Sequence, residues 1–216
     1  MANYNDRTPP YVRYLAPLIR PFPNFDFFFM KSMRKRAINA LQLRQGSRAL
    51  DVGCGPGGSF PYLVASVGPH GDVVGVEISP ELMINAKRRI EAKQWSNVEV
   101  IEGDAKTVRL NGKFDGLLLF AAPDVYASPE ALANLLPYLK DDGRVVVFGA
   151  KLCYRRSAVA LNVFLQSLMK LSFSTTPELN HEPWGVLEKW LIEIHVQEYF
   201  FGCLFLAFGV YKTNRN

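Results

Sequence analysis

The chain has 216 residues, of which 49% are hydrophobic, and its formal net charge is +5. This length suits one α/β domain with a full core, and this apolar content excludes wholesale disorder. The most apolar run, Phe200 to Val210, is 11 residues and too short to span a bilayer. Three widely spaced cysteines predict neither a disulfide framework nor a zinc site. Because no hydrophobic leader is recognisable, we expect a cytoplasmic protein, with peripheral membrane attachment left open.

The first 48 residues are basic and aromatic. They hold nine Lys or Arg and two acidic residues, a net charge of +7, and a helix is predicted from about Phe27 to Leu43. Three interpretations stay open: a segment on an anionic membrane surface, a lid over a pocket, or a packed helix with its basic side chains in solvent. No nucleic-acid recognition motif accompanies the charge, so no nucleic-acid partner is expected. We assign residues 1–45 to a helical lid or substrate segment and 46–216 to the main domain.

A glycine-rich turn follows the first predicted strand, which runs from about Ser47 to Gly53. Gly53, Gly55 and Gly58 fit the pattern G-x-G-x-x-G, which is a weak signal when it stands alone. Asp51 lies two positions before the first glycine. A carboxylate there repels a pyrophosphate and suits a ligand that carries an ammonium group. The turn therefore predicts a binding site for a ligand that carries a positively charged ammonium group.

Two of the next three predicted strands end in an acidic residue that signals a ligand. Glu77 follows Gly53 by 24 residues, a spacing at which an acid can accept hydrogen bonds from both ribose hydroxyls. Ser79 and Pro80 predict the cap and first residue of the next helix. A third strand ends in Gly103-Asp104-Ala105, and a fourth covers 114–120. A helix over about 129–139 precedes a fifth strand. Strands that alternate with helices predict a parallel sheet covered on both faces.

These signals, in this order over about residues 46–150, resemble the class I S-adenosylmethionine-dependent methyltransferases. The resemblance implies an α/β fold with a Rossmann-like, mostly parallel seven-stranded sheet, an antiparallel C-terminal strand and helices on both faces. It implies S-adenosyl-L-methionine as the cofactor, with Asp104 at the adenine amino group. The cofactor contacts it implies are Asp51, Gly53, Cys54, Gly55, Gly57, Glu77, Ile78, Asp104, Ala105 and Phe120.

The sequence gives fewer indications of the residues that bind the molecule accepting the methyl group. Tyr126, His181 and Tyr14 are candidate catalytic residues, and Lys151, Arg155 and Arg156 either bind an anionic group or lie in solvent. A helix is predicted over 157–171, and two tightly joined strands, Ile192 to Tyr199 and Cys203 to Tyr211, must be antiparallel.

A weaker resemblance, to small bacterial phospholipid and quinone methyltransferases, implies an amphipathic or lipid-like small-molecule acceptor. A soluble aromatic or natural-product acceptor stays open. So does a protein that binds S-adenosylmethionine without catalysis. A nicotinamide oxidoreductase is disfavoured by Asp51 and by the signal at Gly103-Asp104-Ala105.

Overall fold

The computed structural model describes residues 28–153, 162, 163, 166 and 181–212. The strands are β1 (Arg48–Val52), β2 (Asp72–Glu77), β3 (Val98–Glu102), β4 (Phe114–Phe120), β5 (Leu139–Ala150), β6 (Leu191–Tyr199) and β7 (Leu204–Tyr211). The helices are α1 (Phe28–Ala40), α2 (Phe60–Val67), α3 (Pro80–Lys93), α4 (Pro123–Tyr126) and α5 (Pro129–Leu135), with 3₁₀ turns at Leu136–Tyr138 and Leu187–Lys189.

The strands form one seven-stranded sheet in the order β3-β2-β1-β4-β5-β7-β6. The first five pair in parallel, and β7 is antiparallel to both β5 and β6. The carboxyl ends of β1 to β6 therefore lie along one edge of the sheet, together with the turn between β6 and β7. We call this the carboxyl edge. The predicted mostly parallel sheet with a reversed C-terminal strand is confirmed.

The core lies on both faces of the sheet because neighbouring strand residues point to opposite sides. Ala49 packs on the face covered by α1 and α2, where Phe60 and Leu63 are fully buried. Leu50 packs on the other face with side chains of α4 and α5, such as Leu132. Long buried runs in β1 and β5 fit strands that are covered on both sides.

The helix and strand boundaries differ from the predicted ones in a few places. Helix α5 ends at Leu135, because Pro137 follows in a 3₁₀ turn, and β5 begins at once at Leu139. The register between β4 and β5 shifts in the part of β5 where Asp142 takes a φ of 62°. Of the predicted helix over 157–171, the structure describes only residues 162, 163 and 166, which are helical. The predicted cap is confirmed, since Ser79 Oγ accepts a hydrogen bond from the Leu82 amide.

The expectation that the cysteines form no disulfide is wrong. Cys153 and Cys203 are bonded across the junction of β5 and β7, with their Cα atoms 4.9 Å apart. The register explains the approach, because Ala150 pairs with Leu204 and the Lys151 amide donates to the Cys203 carbonyl at 2.9 Å. Nothing in a sequence separation of 50 residues indicates that strand pairing brings the two together.

Among the described residues, no helix has both the length and the apolarity needed to cross a membrane.

Candidate cofactor and acceptor site

The glycine-rich turn after β1 contains three glycines with left-handed backbones, Gly53, Gly55 and Gly57. Gly53 has a φ of 70°, and a Cβ there would lie 2.7 Å from the Cβ of Ala122. Its amide donates to the Val76 carbonyl at 2.9 Å, which holds the turn against β2. Gly55 has a φ of 56°, and a Cβ there would meet open space. Gly53 is thus required by packing, whereas the surroundings of Gly55 leave room beside the backbone.

Glu77, at the end of β2, holds the turn to the start of α3. One carboxylate oxygen accepts from the Gly55 amide at 2.8 Å, and the other accepts from the Ser79 amide at 2.9 Å. The side chain is 6% exposed, and this burial raises its pKa. Each carboxylate oxygen can accept more than one hydrogen bond. The predicted role at the ribose hydroxyls therefore stays chemically open alongside a structural role that the sequence did not reveal.

Asp51, at the end of β1, is a buried acid with an unsatisfied oxygen. It is 1% exposed, and its Oδ2 accepts no hydrogen bond from any residue that the structure describes. Its pKa is raised to about 7: burial is the largest cause, the charge of Arg34 opposes it, the charge of Glu77 adds to it, and the hydrogen bond with the Ser59 hydroxyl lowers the pKa. A buried acceptor without a partner is unfavourable, so it marks a position that a ligand donor can satisfy. The predicted preference of this site for a ligand that carries an ammonium group is compatible with this oxygen and stays a prediction.

Arg34 on α1 lies against the glycine-rich turn and not in solvent, which corrects one of the open interpretations of the basic segment. Its Nη1 donates to Ser59 Oγ at 2.9 Å, and its guanidinium lies 4.3 Å from the centroid of the Phe120 ring. A Cβ on Gly58 would be 2.8 Å from the guanidinium carbon. The spacing to buried Ala37, three residues later, is the signal that could have placed Arg34 on the sheet-facing side.

Two further acidic residues, Asp104 and Asp124, follow the ends of β3 and β4. Asp104 is half-buried, and its Oδ1 accepts from the Lys106 amide at 3.0 Å. Asp124, in α4, belongs to the segment from Phe120 to Tyr126, which follows the fourth strand and is predicted to face the ligand crevice, but it is not among the predicted cofactor contacts. Burial raises its pKa and the charge of Asp104 adds to this, while Asp124 in turn raises the pKa of Glu77. Asp124 therefore lies within electrostatic reach of both Asp104 and Glu77. Of the other predicted contacts, Ile78 is half-buried, and Ala105, Gly57 and Phe120 are buried.

Cys54 is buried and does not belong to the disulfide. Its Sγ lies 3.7 Å from the Gly55 carbonyl, and burial together with the charges of Asp51 and Glu77 raises the thiol pKa well above its usual value. A thiol held in its neutral form is a poor nucleophile. Cys54 therefore acts as a small apolar side chain in the turn.

The predicted catalytic candidates occupy different environments. Tyr126, in α4, is 2% exposed, packs edge-on against Phe205 at 5.7 Å, and has its hydroxyl beside Gly149. Burial raises its pKa, so the phenol keeps its proton and can donate a hydrogen bond rather than act as a base. The His181 side chain is exposed. Tyr14 lies outside the described residues. The catalytic roles of all three stay predictions.

Lys151, which follows β5, neither lies in solvent nor stands ready for an anion. It is fully buried, forms an ion pair with Glu198 of β6, and places its ammonium 5.3 Å from the centroid of the Trp184 ring. Its Nζ also donates to the His181 carbonyl at 3.5 Å. An anionic ligand would have to displace Glu198. Arg155 and Arg156 lie outside the described residues.

Two curated relatives share this chain's sequence over part of their length. Demethylmenaquinone methyltransferase of Staphylococcus carnosus is 30% identical over 138 residues, which are 63% of this chain and 54% of that protein. An uncharacterized 37.1 kDa protein in transposon TN4556 of Streptomyces fradiae is 36% identical over 119 residues, 54% of this chain and 34% of that protein. The chain thus spans about half or less of the length of these relatives.

A solved structure and a family model agree with the fold. The crystal structure of a SAM-dependent methyltransferase from Aquifex aeolicus superposes with a TM-score of 0.62 at 19% identity, covering 82% of this chain and 89% of that one. The family model described as protein-L-isoaspartate(D-aspartate) O-methyltransferase matches residues 29–152, a range that includes Arg34, Asp51, Glu77 and Asp104. The chain therefore belongs to this methyltransferase family and has the fold of a class I S-adenosylmethionine-dependent methyltransferase, the cofactor of which is S-adenosylmethionine.

Proposed function

We propose that this enzyme methylates a small amphipathic or lipid-like acceptor, of the quinone or phospholipid head-group type, which it takes up at a membrane surface. The observation that carries the proposal is the turn between β6 and β7. Phe200 and Phe201 are 58% and 81% exposed there, at the carboxyl edge, where ligands bind in open α/β sheets. Large exposed aromatic side chains beside a ligand site indicate an apolar partner. The name of the Staphylococcus carnosus relative points to a quinone.

The turn that carries these two aromatics is ordered by its own hydrogen bonds. The Gly202 amide donates to the Tyr199 carbonyl, and the Cys203 amide donates to the Phe200 carbonyl, both at 3.1 Å. On α1, the guanidinium of Arg36 lies 5.8 Å from the centroid of the Tyr199 ring. A cation beside exposed aromatics suits the boundary between anionic head groups and acyl chains. We infer that α1 and this turn together face the membrane.

The apolar side chains behind the turn favour an acceptor with an apolar body. Trp184 and Phe205 pack at 5.2 Å between ring centroids, and Tyr126 packs on Phe205 from α4. When bound, S-adenosylmethionine supplies a methyl group on a positively charged sulfur. The chain's contribution is to orient the acceptor and exclude water, which can supply much of the rate when the donor is already reactive. A neutral Tyr126 phenol can hold an acceptor oxygen by donating a hydrogen bond.

An acceptor panel tests the substrate class. Methyl transfer from labelled S-adenosylmethionine is measured with a demethylated quinone in vesicles, phosphatidylethanolamine vesicles, a water-soluble catechol and an isoaspartyl peptide. The proposal expects transfer to one of the two vesicle-borne acceptors. Transfer to the catechol or the peptide alone contradicts it. No transfer to any of the four, with intact cofactor binding, favours a binding protein without catalysis.

A vesicle experiment tests the membrane surface separately. Sedimentation with anionic vesicles should exceed that with neutral ones and should fall as salt is raised, because screening shortens to about 8 Å at physiological ionic strength. Phe201→Ser should reduce this binding. Ile84→Ser, which removes a 44% exposed apolar side chain from α3, is the matched control and should not. Equal losses in the two variants would remove the turn from the proposal.

A further inference from the structure

The turn between β6 and β7 contains one charged side chain, that of Glu198. It is the only Asp, Glu, Lys or Arg in residues 196–211, the range that also holds the exposed aromatics Phe200 and Phe201. The Glu198 side chain is 44% exposed, and it lies two residues before Phe200. An unpaired carboxylate in this position would be repelled by anionic lipids. The membrane contact proposed for this turn therefore depends on whether the charge of Glu198 is compensated.

Lys151 compensates this charge from beneath the turn. Its fully buried ammonium forms an ion pair with Glu198. The Trp184 ring centroid lies 5.3 Å from the same nitrogen, and the His181 carbonyl accepts a hydrogen bond from it at 3.5 Å. An ammonium enclosed in this way does not reach a lipid head group. Its effect at the protein surface is therefore exerted through Glu198, whose negative charge it neutralises.

Other bonds hold the turn in place without this ion pair. The disulfide between Cys153 and Cys203 joins the turn to the chain after β5, and the Lys151 amide donates to the Cys203 carbonyl at 2.9 Å. Inside the turn, the Gly202 amide donates to the Tyr199 carbonyl at 3.1 Å. None of these bonds uses the Lys151 ammonium. Burying an ammonium also costs desolvation, so a buried ion pair is weak evidence for a stabilising role. The pair thus points to a role in the charge of this surface.

We propose that Lys151 sets the membrane specificity of this turn: by neutralising Glu198, it allows the two exposed phenylalanines to approach an anionic leaflet. The inference rests on the proposed uptake of the acceptor at a membrane surface, and it adds a residue that acts through Glu198 without touching lipid. With Glu198 neutralised, the exposed Arg36 of α1, whose guanidinium lies 5.8 Å from the Tyr199 ring centroid, leaves a positive charge beside the turn.

Vesicle sedimentation tests the proposal with phosphatidylcholine alone and with a mixture of phosphatidylcholine and phosphatidylglycerol. Lys151→Met should lower the affinity for the mixed, anionic vesicles about fivefold, the factor that corresponds to one elementary charge near an anionic leaflet. Glu198→Gln should raise this affinity by a similar factor, because it removes the carboxylate and keeps the ammonium. The double variant carries neither charge and should bind these vesicles like the wild type. Binding to phosphatidylcholine alone should change less in every variant.

The opposite signs separate an electrostatic role from a structural one, since a merely structural ion pair would lower the affinity in both single variants. Glu193→Gln is the matched control. It removes a carboxylate from an exposed position of the same strand that lies five residues, or roughly 16 Å, farther from the turn, which exceeds the screening length of about 8 Å. This control should change neither affinity.

Cooperative urea unfolding shows whether each variant is folded. Unchanged or lower affinity of Glu198→Gln for the anionic vesicles overturns the proposal, and so does unchanged affinity of a folded Lys151→Met protein. If Lys151→Met does not fold, the sign of the change in Glu198→Gln decides alone. Wild-type protein that binds neither vesicle type contradicts the membrane uptake itself, and this inference falls with it.

Discussion

The two halves of the carboxyl edge differ in whether their buried charged groups have partners. At the ends of β1 and β2, Asp51 and Glu77 are both buried, the charge of Glu77 raises the pKa of Asp51, and Asp51 keeps an oxygen that no described residue satisfies. At the ends of β5 and β6, the buried ammonium of Lys151 is paired with Glu198 and lies against Trp184. We call the edge formed by the ends of β1, β2 and β3 the cofactor half and the edge formed by the ends of β5 and β6 the acceptor half. In the cofactor half, a buried oxygen of Asp51 can accept a hydrogen bond from a ligand. In the acceptor half, the charge of Lys151 is paired with Glu198, and the aromatic side chains of Phe200 and Phe201 are exposed.

Asp51→Asn should give the largest effect, on the pH dependence of stability. The folded-state pKa is raised from 3.8 to about 7, so between these values the unfolded chain releases a proton that the folded chain keeps. Stability is then fully present below pH 3.8 and falls as pH rises to 7, by an amount on the order of 4 kcal/mol in total. Asn does not titrate, so the variant should lose this slope and be more stable at pH 8. Urea unfolding at several pH values measures it.

The same titration has the opposite sign for cofactor binding. An ammonium needs ionised Asp51, so the affinity for S-adenosylmethionine should rise between pH 6 and 7.5 while the free energy of unfolding falls. Glu77 contributes to the stability slope in the same direction, because burial also raises its pKa. Glu99→Gln, at an exposed carboxylate of β3, is the control and should leave both curves unchanged. If the affinity of wild type and of Asp51→Asn depended on pH in the same way, a contact between Asp51 and the ammonium of the cofactor would be contradicted.

Removing the disulfide should come next in size and affects the acceptor half. Cys153 and Cys203 close a loop with a separation of 50 residues, for which chain entropy predicts a stabilisation of about 2–4 kcal/mol. The double variant Cys153→Ser/Cys203→Ser should lower the free energy of unfolding by this amount. Reductant should do the same to the wild type and have no effect on the variant. Unfolding curves that do not respond to reductant in the wild type would show that the bond is not formed.

Glu77→Ala should weaken both the turn and the cofactor. Loss of hydrogen bonds to a charged group costs about 1.5–3 kcal/mol in binding, and the Gly55 and Ser79 amides lose their acceptor, which costs about 1–3 kcal/mol in stability. Calorimetry and thermal unfolding report the two effects separately. Glu99→Ala is the control in an exposed position on β3. Full stability of Glu77→Ala would show that the two amides find other partners.

Glu198→Gln should have the smallest effect. Its side chain is 44% exposed, and the oxygen of Gln can still accept a hydrogen bond from the buried Lys151 ammonium, so we expect a loss of about 1 kcal/mol in the free energy of unfolding. The loss should shrink in high salt. Glu193→Gln, at another exposed position of β6, is the control. A loss as large as that of the disulfide would mean that the acceptor half also depends on an unscreened charge.

The cofactor half could be predicted from the sequence because its signals are local. Asp51 lies in the turn it serves, and Ser79 caps the helix that follows it directly. The alternation of strands and helices also predicts the sheet, and the tight turn predicts the antiparallel pair β6–β7. These features depend on residues a few positions apart, where backbone preferences and hydrophobic periodicity are informative.

The rest could not be predicted, because it depends on contacts between distant residues. Arg34 comes near Asp51 only after α1 packs against β4 and β5, and a basic residue among other basic residues indicates solvent. The disulfide needs β7 to insert beside β5, a pairing that spacing does not specify. Asp124 joins Glu77 and Asp104 only because three strands end at one edge. In each case the sheet order supplies the proximity.

The position of β7 between β5 and β6 has a consequence for synthesis on the ribosome. Strand β6 is made before β7, yet β7 is the neighbour with which it pairs in the described sheet. The strands of the cofactor half find their partners among segments already emerged once β4 is complete. The order β5-β7-β6 is therefore completed only when residue 211 has left the exit tunnel. Until then the edge of β5 lacks the strand that pairs with it in the described sheet, and such an unpaired edge is prone to aggregation.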